Sequence, residues 1–218
     1  MLSTRAFKSL FHLLPVPLFL WLWFFPRPYW LCITTAALLV PAYLSFAIVK
    51  PRSFDFLHSE RPHGTSVLNV AGPTVLLSMG LLGRAMFDYH LLEYERAFVI
   101  AATLSLICGL GLWIVLPGAR LTLALAVACL YAPSLLLHVN GFSAQTVKST
   151  RATVVNAESW SKPAVGRVTL SIEGSQYRFL LGGDAYRWLK PGSTVCVAHM
   201  AGAVEIPIVH FSRCASAA

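Results

Sequence analysis

Residues 121–156, LTLALAVACLYAPSLLLHVNGFSAQTVKSTRATVVN, contain the change of pattern that decides the fold. Up to Val139 the stretch is predominantly apolar and carries no Asp, Glu, Lys or Arg. After Asn140-Gly141 polar and apolar side chains begin to alternate, as they do in a strand with one buried face. The stretch therefore predicts a boundary between a helical domain, residues 1–140, and a β domain, residues 141–218.

Four further apolar blocks precede this one, and each predicts a helix. At a rise of 1.5 Å per residue, about 20 apolar residues cross the roughly 30 Å hydrocarbon layer of a bilayer. The blocks predict a membrane bundle of about five transmembrane helices, at residues 6–25, 30–49, 67–86, 97–116 and 121–139.

The first block is the exception, because Pro15 and Pro17 interrupt it and proline kinks a helix. It crosses the bilayer only if the helix starts near Ala6, and a re-entrant segment is the alternative. No small-residue cleavage site follows the apolar run, so we interpret it as an uncleaved anchor rather than a signal peptide.

Composition and charge exclude other classes of protein. The chain is 56% hydrophobic and 12% charged, whereas soluble domains are about 25% charged. This disfavours both a disordered chain and an ordinary cytosolic enzyme. The net charge of +8 is spread evenly, +4 in each predicted domain, without the basic stripe that tracks a phosphate backbone. We therefore predict a lipid bilayer as a partner, and no nucleic acid.

The β domain reads as two hairpins and one further strand. Turn-forming residues at 173–176 separate two alternating segments, and Ala201-Gly202 separates another two. One or two helical turns are expected at residues 184–190, with Asp184 as the cap and Trp188 and Leu189 facing inward. The strands, which predict a small SH3-like or OB-like barrel, are residues 146–156, 167–172, 177–181, 194–200 and 204–211.

Orientation follows from the basic residues between the spans. With the N-terminus in the cytoplasm, six face inward and four outward, a weak preference under the positive-inside rule. The inward set is Arg5, Lys8, Lys50, Arg52, Arg61 and Arg120, and the outward set is Arg27, Arg96, Lys148 and Arg151. We predict a bacterial inner-membrane protein with a periplasmic β domain, although a re-entrant first block would change the side.

Cys196 and Cys214 are the only cysteines of the β domain. Such a pair is typical of an oxidising compartment, so a disulfide is one interpretation. Two unrelated thiols are the other, because sequence does not supply the geometry that a disulfide requires.

Arg84, Asp88 and Glu95 are the candidate functional residues at the membrane. An ionisable group at membrane depth is costly and is by default a functional hypothesis. Arg84 and Asp88 are four residues apart and share a helix face, with Glu95 joining them if the helix continues. The interpretation we favour is that Arg84, near the end of its span, extends to the interface and pairs with Asp88.

His58 and His63 flank Glu60 in the longest polar loop and are weak candidates for metal binding. The spacing matches no established zinc motif, and Pro62 prevents a regular helix that would bring the rings together. The chain also lacks a nucleophile elbow and a phosphate-binding glycine loop. We therefore predict no cofactor.

Small residues in the spans favour close helix packing. Ser105 and Gly109 lie one turn apart, and Gly80 and Gly83 thin the third span. The alternative is a helix broken at Gly72-Pro73 around a substrate path.

The functional prediction is based on the predicted architecture, because the sequence contains no motif that indicates a function. We expect a non-enzymatic accessory, assembly or scaffold subunit of an envelope membrane complex, with the β domain contacting a membrane-protein partner or a second copy. The alternative is a transporter or channel component with a polar path near Arg84 and Asp88. The third is an intramembrane enzyme acting on lipid or an envelope polymer, which requires convergence of His58, Glu60, His63, Asp88 and Glu93.

Overall fold

The computed structural model describes residues 11, 13–24, 26–50, 53–56, 68–116, 120–161, 165–182 and 188–214. Within these residues the chain forms five helices: α1 (Pro15–Phe24), α2 (Tyr29–Val49), α3 (Ala71–Asp88), α4 (Tyr94–Val115) and α5 (Leu121–Phe142). The strands are β1 (Phe54–Asp55), β2 (Leu68–Asn69), β3 (His90–Leu91), β4 (Gln145–Ser161), β5 (Val165–Ile172), β6 (Ser175–Gly182), β7 (Thr194–Ala201) and β8 (Pro207–Arg213).

These elements form two compact units. The first comprises residues 1–84 and 99–136, and the second comprises residues 85–98 and 137–218. The ends of α3, α4 and α5 that lie nearest to the strands in sequence therefore belong to the same unit as the large sheet.

Three of the described helices, α2, α4 and α5, are long and apolar enough to cross a membrane, with 21, 22 and 22 residues. This suggests a membrane protein. Helix α1 has only 10 residues, and residues 6–10 of its predicted span lie outside the described part of the chain. Helix α3 has 18 residues and starts at Ala71, four residues later than the predicted span.

Glycines in the first unit mark where helices lie close together. A Cβ atom at Gly80 of α3 would lie 3.0 Å from side-chain atoms of both Phe19 and Leu22 in α1, and one at Gly83 would lie 2.6 Å from the Trp23 ring. At Gly109 of α4, a Cβ would lie 2.6 Å from Leu125 of α5. These positions are filled by neighbouring side chains, which is the packing that the small residues favour.

The large sheet is antiparallel and nearly closed, with strand order β3-β8-β7-β4-β5-β6. Strand β4 is long enough to pair with β7 through its first half and with β5 through its second. Register shifts next to Val147 and Val155 mark β-bulges, which bend a strand and increase its twist. The predicted β content is confirmed, since each of the five predicted strands overlaps one of β4 to β8.

Inward-facing side chains of the sheet form one apolar core. The buried members are Ala152, Val154, Val168, Leu170, Ile172, Phe179, Leu181, Leu189, Val195, Val197 and Val209. The two edge strands approach each other through side chains, because the rings of His90 in β3 and Phe179 in β6 lie 5.8 Å apart. The predicted helical turn at residues 184–190 lies mostly outside the described residues, and Leu189 at its end is buried.

Candidate functional site

The connection between α3 and α4 supplies an edge strand of the barrel-like sheet. His90 and Leu91 of β3 pair with Val209 and Ile208 of β8, and the Leu92 N–H donates to the Pro207 carbonyl at 3.1 Å. The sequence does not reveal this strand, because two strand residues are too few to show an alternating pattern. The barrel is thus completed by residues from between two helices.

His90 contributes a neutral ring to the barrel core. It stacks on Phe211 with ring centroids 4.9 Å apart. Burial, assisted by the nearby His210, lowers the pKa of His90 to about 4, because a buried site disfavours the charged imidazolium. At neutral pH the ring therefore packs as an aromatic group.

The last turns of α5 hold the turn between β7 and β8 through Asn140, whose side chain has no exposed surface. Its Nδ2 donates to the Ile206 carbonyl at 2.9 Å, and its Oδ1 accepts from the Val204 N–H at 3.3 Å. Both polar ends of a buried amide are satisfied by backbone groups from a sequence-distant turn. Such contacts are expensive to lose, because each would leave a buried partner without a hydrogen bond.

Two further contacts strengthen this attachment. The Ser143 Oγ accepts from the Ala203 N–H at 2.7 Å and also lies 2.7 Å from the Val139 carbonyl, to which it donates. A Cβ atom at Gly202 would overlap the Asn140 carbonyl, so the turn reaches the helix backbone only because residue 202 has no side chain.

Tyr89 and His138 form the third part of the attachment. The Tyr89 hydroxyl lies 3.2 Å from Nδ1 of His138, which is 2% exposed. A Cβ at Gly141 would overlap the Tyr89 ring, so the chain entering β3 packs directly on α5. We name residues 89–92, 138–143 and 202–207 the helix–barrel joint. On the surface beside it, Arg96 and Glu205 form an ion pair at 3.6 Å.

The predicted membrane residues do not share one helix. Arg84 lies in α3, half-buried, with its guanidinium 5.8 Å from the centroid of the Tyr29 ring. Asp88 is the last residue of α3, whereas Glu95 is an exposed residue of α4. The helix therefore ends before the face that would include Glu95.

His58, Glu60 and His63 lie outside the described residues, so their convergence stays a prediction. Over the described part of the chain, no three His, Cys, Asp or Glu side chains group as a metal site. Gly72-Pro73 lies in the first turn of α3, where proline is tolerated, and the Asn69 Oδ1 accepts the Ala71 N–H at 2.9 Å.

Cys196 of β7 and Cys214, which follows β8, form a disulfide with Cα atoms 4.9 Å apart. The bond fastens the end of the chain to the neighbouring strand of the barrel. The three cysteines of the helices, Cys32, Cys108 and Cys129, are free.

Comparison of the chain with protein-family models, curated proteins and solved structures found no match. The site is therefore interpreted from its geometry. The joint is not evident from the sequence, because Asn140-Gly141 indicates only a boundary and nothing local to Tyr89 or His138 indicates a distant partner. A polar Asn at the end of an apolar block was the one signal available.

Proposed function

We propose that this protein is a non-enzymatic multi-pass membrane protein serving as an accessory, assembly or scaffold subunit of an envelope membrane complex. Its barrel contacts the protein partner. The observation that supports this proposal is the helix–barrel joint, in which the end of α5 and the connection between α3 and α4 are hydrogen-bonded to barrel residues.

The joint uses its polar side chains for attachment. Asn140 and Ser143 are both bonded to backbone groups of the β7–β8 turn, and β3 adds main-chain hydrogen bonds. Asn140 is buried, so any arrangement that breaks its hydrogen bonds leaves buried polar groups unpaired. A barrel hydrogen-bonded to helix ends within its own unit suits a protein that presents a docking surface.

The proposal includes the number of spans, the type of barrel and the location of the protein. The bundle has about five spans in residues 1–140, and residues 141–218 form an SH3-like or OB-like barrel in the periplasm of a bacterial cell, with the N-terminus in the cytoplasm. The Cys196–Cys214 pair supports an oxidising compartment. The count of basic residues between the spans favours the same orientation.

The proposal is tested by native mass spectrometry after extraction from native membranes in mild detergent. We expect a complex of fixed stoichiometry, with another protein or with a second copy. Asn140→Ala removes two buried hydrogen bonds, costs about 2–4 kcal/mol of barrel attachment, and should reduce the complex at least severalfold.

The matched control is Asn156→Ala, because Asn156 is exposed and bonds only locally, to the Glu158 carboxylate and the Ala157 N–H. It should leave the complex unchanged. A clean monomer for the wild-type protein, or equal loss of the complex in both variants, would contradict the proposal.

A further inference from the structure

A cavity of about 790 Å³ lies beside α3, but a smaller one in the second unit carries more chemistry. This cavity, of about 480 Å³, is lined by Tyr94 of α4, by Arg167 of β5, and by Arg178, Phe179 and Leu180 of β6. It combines two cations, a phenol and an apolar wall.

The strand register places the two arginines together. Arg167 is opposite Leu180, and Arg178 is opposite Thr169, so the arginines are diagonal neighbours on adjacent strands. They alternate with the buried Val168 and Phe179, which puts both on the outer face of the barrel. Diagonal neighbours have Cα atoms about 7–8 Å apart, which lets two guanidinium groups reach one phosphate.

Glu158 of β4 is opposite Arg167 on the other side of β5. A guanidinium has five N–H donors, so one carboxylate does not exhaust it. Arginine also matches the geometry of a phosphate with paired hydrogen bonds.

Tyr94 indicates where the cavity would lie relative to a bilayer. It is the first residue of α4, one of the three helices long and apolar enough to cross a membrane. Phe98, one turn further along α4, is 73% exposed, as expected of a side chain facing lipid. Tyrosine is enriched at the membrane–water interface, so with α4 in a bilayer the cavity would lie at the level of the lipid headgroups.

We propose that this cavity binds the headgroup phosphate of an anionic phospholipid. Arg167 and Arg178 bind the phosphate oxygens, the Tyr94 hydroxyl donates to the headgroup, and Leu180 contacts the upper acyl chain. This inference goes beyond the proposed function: it needs α4 in a bilayer, and it holds with or without a protein partner.

The test measures lipid retention by native mass spectrometry of the full chain released from nanodiscs of mixed phosphatidylglycerol and phosphatidylcholine. We expect selective retention of one phosphatidylglycerol. Arg167→Gln with Arg178→Gln should lower its apparent affinity about tenfold or more, since hydrogen bonds to charged groups are among the strong ones.

The control is Arg151→Gln with Lys190→Gln, which removes the same charge from exposed barrel positions outside the cavity lining and should retain the lipid. Equal loss in both double variants, or displacement of the lipid by millimolar inorganic phosphate or an acidic peptide, would overturn the inference.

A second measurement covers the case in which the cavity variant does not fold. A phosphatidylglycerol carrying a photoreactive headgroup should label the wild-type protein in β6 or in the first turn of α4. Labelling elsewhere, or none, would overturn the inference equally.

Discussion

Asn140 and His90 show how single side chains define the joint. Each is a polar group at the boundary between helix and sheet, yet Asn140 keeps its polarity by bonding to the β7–β8 turn, whereas His90 is neutral and packs as an aromatic ring. Breaking the hydrogen bonds of Asn140 or protonating His90 is costly, because an unpaired amide or a charged imidazole in this buried environment is not hydrated.

His90 predicts an acid-sensitive barrel. The pKa of His90 is about 4 in the folded protein, whereas an exposed histidine side chain, as in the unfolded chain, has a pKa of 6.5. The unfolded chain therefore binds the proton more readily, so this stabilisation is complete above pH 6.5 and is lost as the pH falls to about 4. The loss is at most about 3 kcal/mol. Thermal unfolding of the wild-type protein in detergent, followed by circular dichroism, should show it, and His90→Leu should abolish it.

His210→Gln is the control for this experiment, because burial rather than His210 is the main cause of the lowered pKa. It should keep most of the acid sensitivity. The Lys148–Glu173 ion pair lowers the pKa of Glu173 from 4.5. The contribution of this pair to stability is therefore lost below pH 4.5, at a lower pH than the range over which His90 titrates in the unfolded chain. An unchanged pH profile for His90→Leu would contradict the role given to His90.

At the scale of elements, the barrel is assembled from segments far apart in the chain. Strands β4 to β8 follow one another along the chain, whereas β3 comes from between α3 and α4. The disulfide then fastens the end of β8 to β7, which are already hydrogen-bonded neighbours. The β3 edge is thus tied to the helix ends that flank it, and the disulfide fastens two interior neighbours of the sheet.

The disulfide gives a direct prediction. Alkylation of the unfolded protein without reductant should modify three cysteines, and five after reduction. Loop closure over 18 residues contributes about 3 kcal/mol to stability in the chain-entropy account, so Cys214→Ser should lower the unfolding temperature. Cys129→Ser is the control, and alkylation of this variant before reduction should modify two thiols. Five modified thiols in the wild-type protein without reductant would contradict the disulfide.

The sequence predicts elements with a long repeating pattern well. Strands β4 to β8 are predictable because alternating segments between turn-forming residues indicate them, most clearly at residues 167–172. Strand β3 is not, since its two residues carry no period and its pairing depends on β8, more than 110 residues later. The joint is unpredictable for the same reason. The hydrogen-bond partners of Asn140 lie 64 and 66 residues away in the chain, and a local sequence pattern does not indicate such contacts.

In the whole molecule, three described helices are long and apolar enough to cross a membrane, and the second unit contains one barrel-like sheet. Helix α4 buries only 11% of its most apolar window within the protein, so its remaining surface is available to lipid.

Site-specific photo-crosslinking in native membranes tests the central claim, a barrel that contacts a protein partner, most directly. A photoreactive residue is placed in turn at exposed barrel positions such as Thr153 and Gln176, and, as a lipid-facing control, at Ile107 of α4, which is 62% exposed. We predict a discrete protein adduct from a contiguous set of barrel positions, and lipid adducts from Ile107. Barrel positions that yield no protein adduct, in membranes where Ile107 labels lipid, would contradict the account.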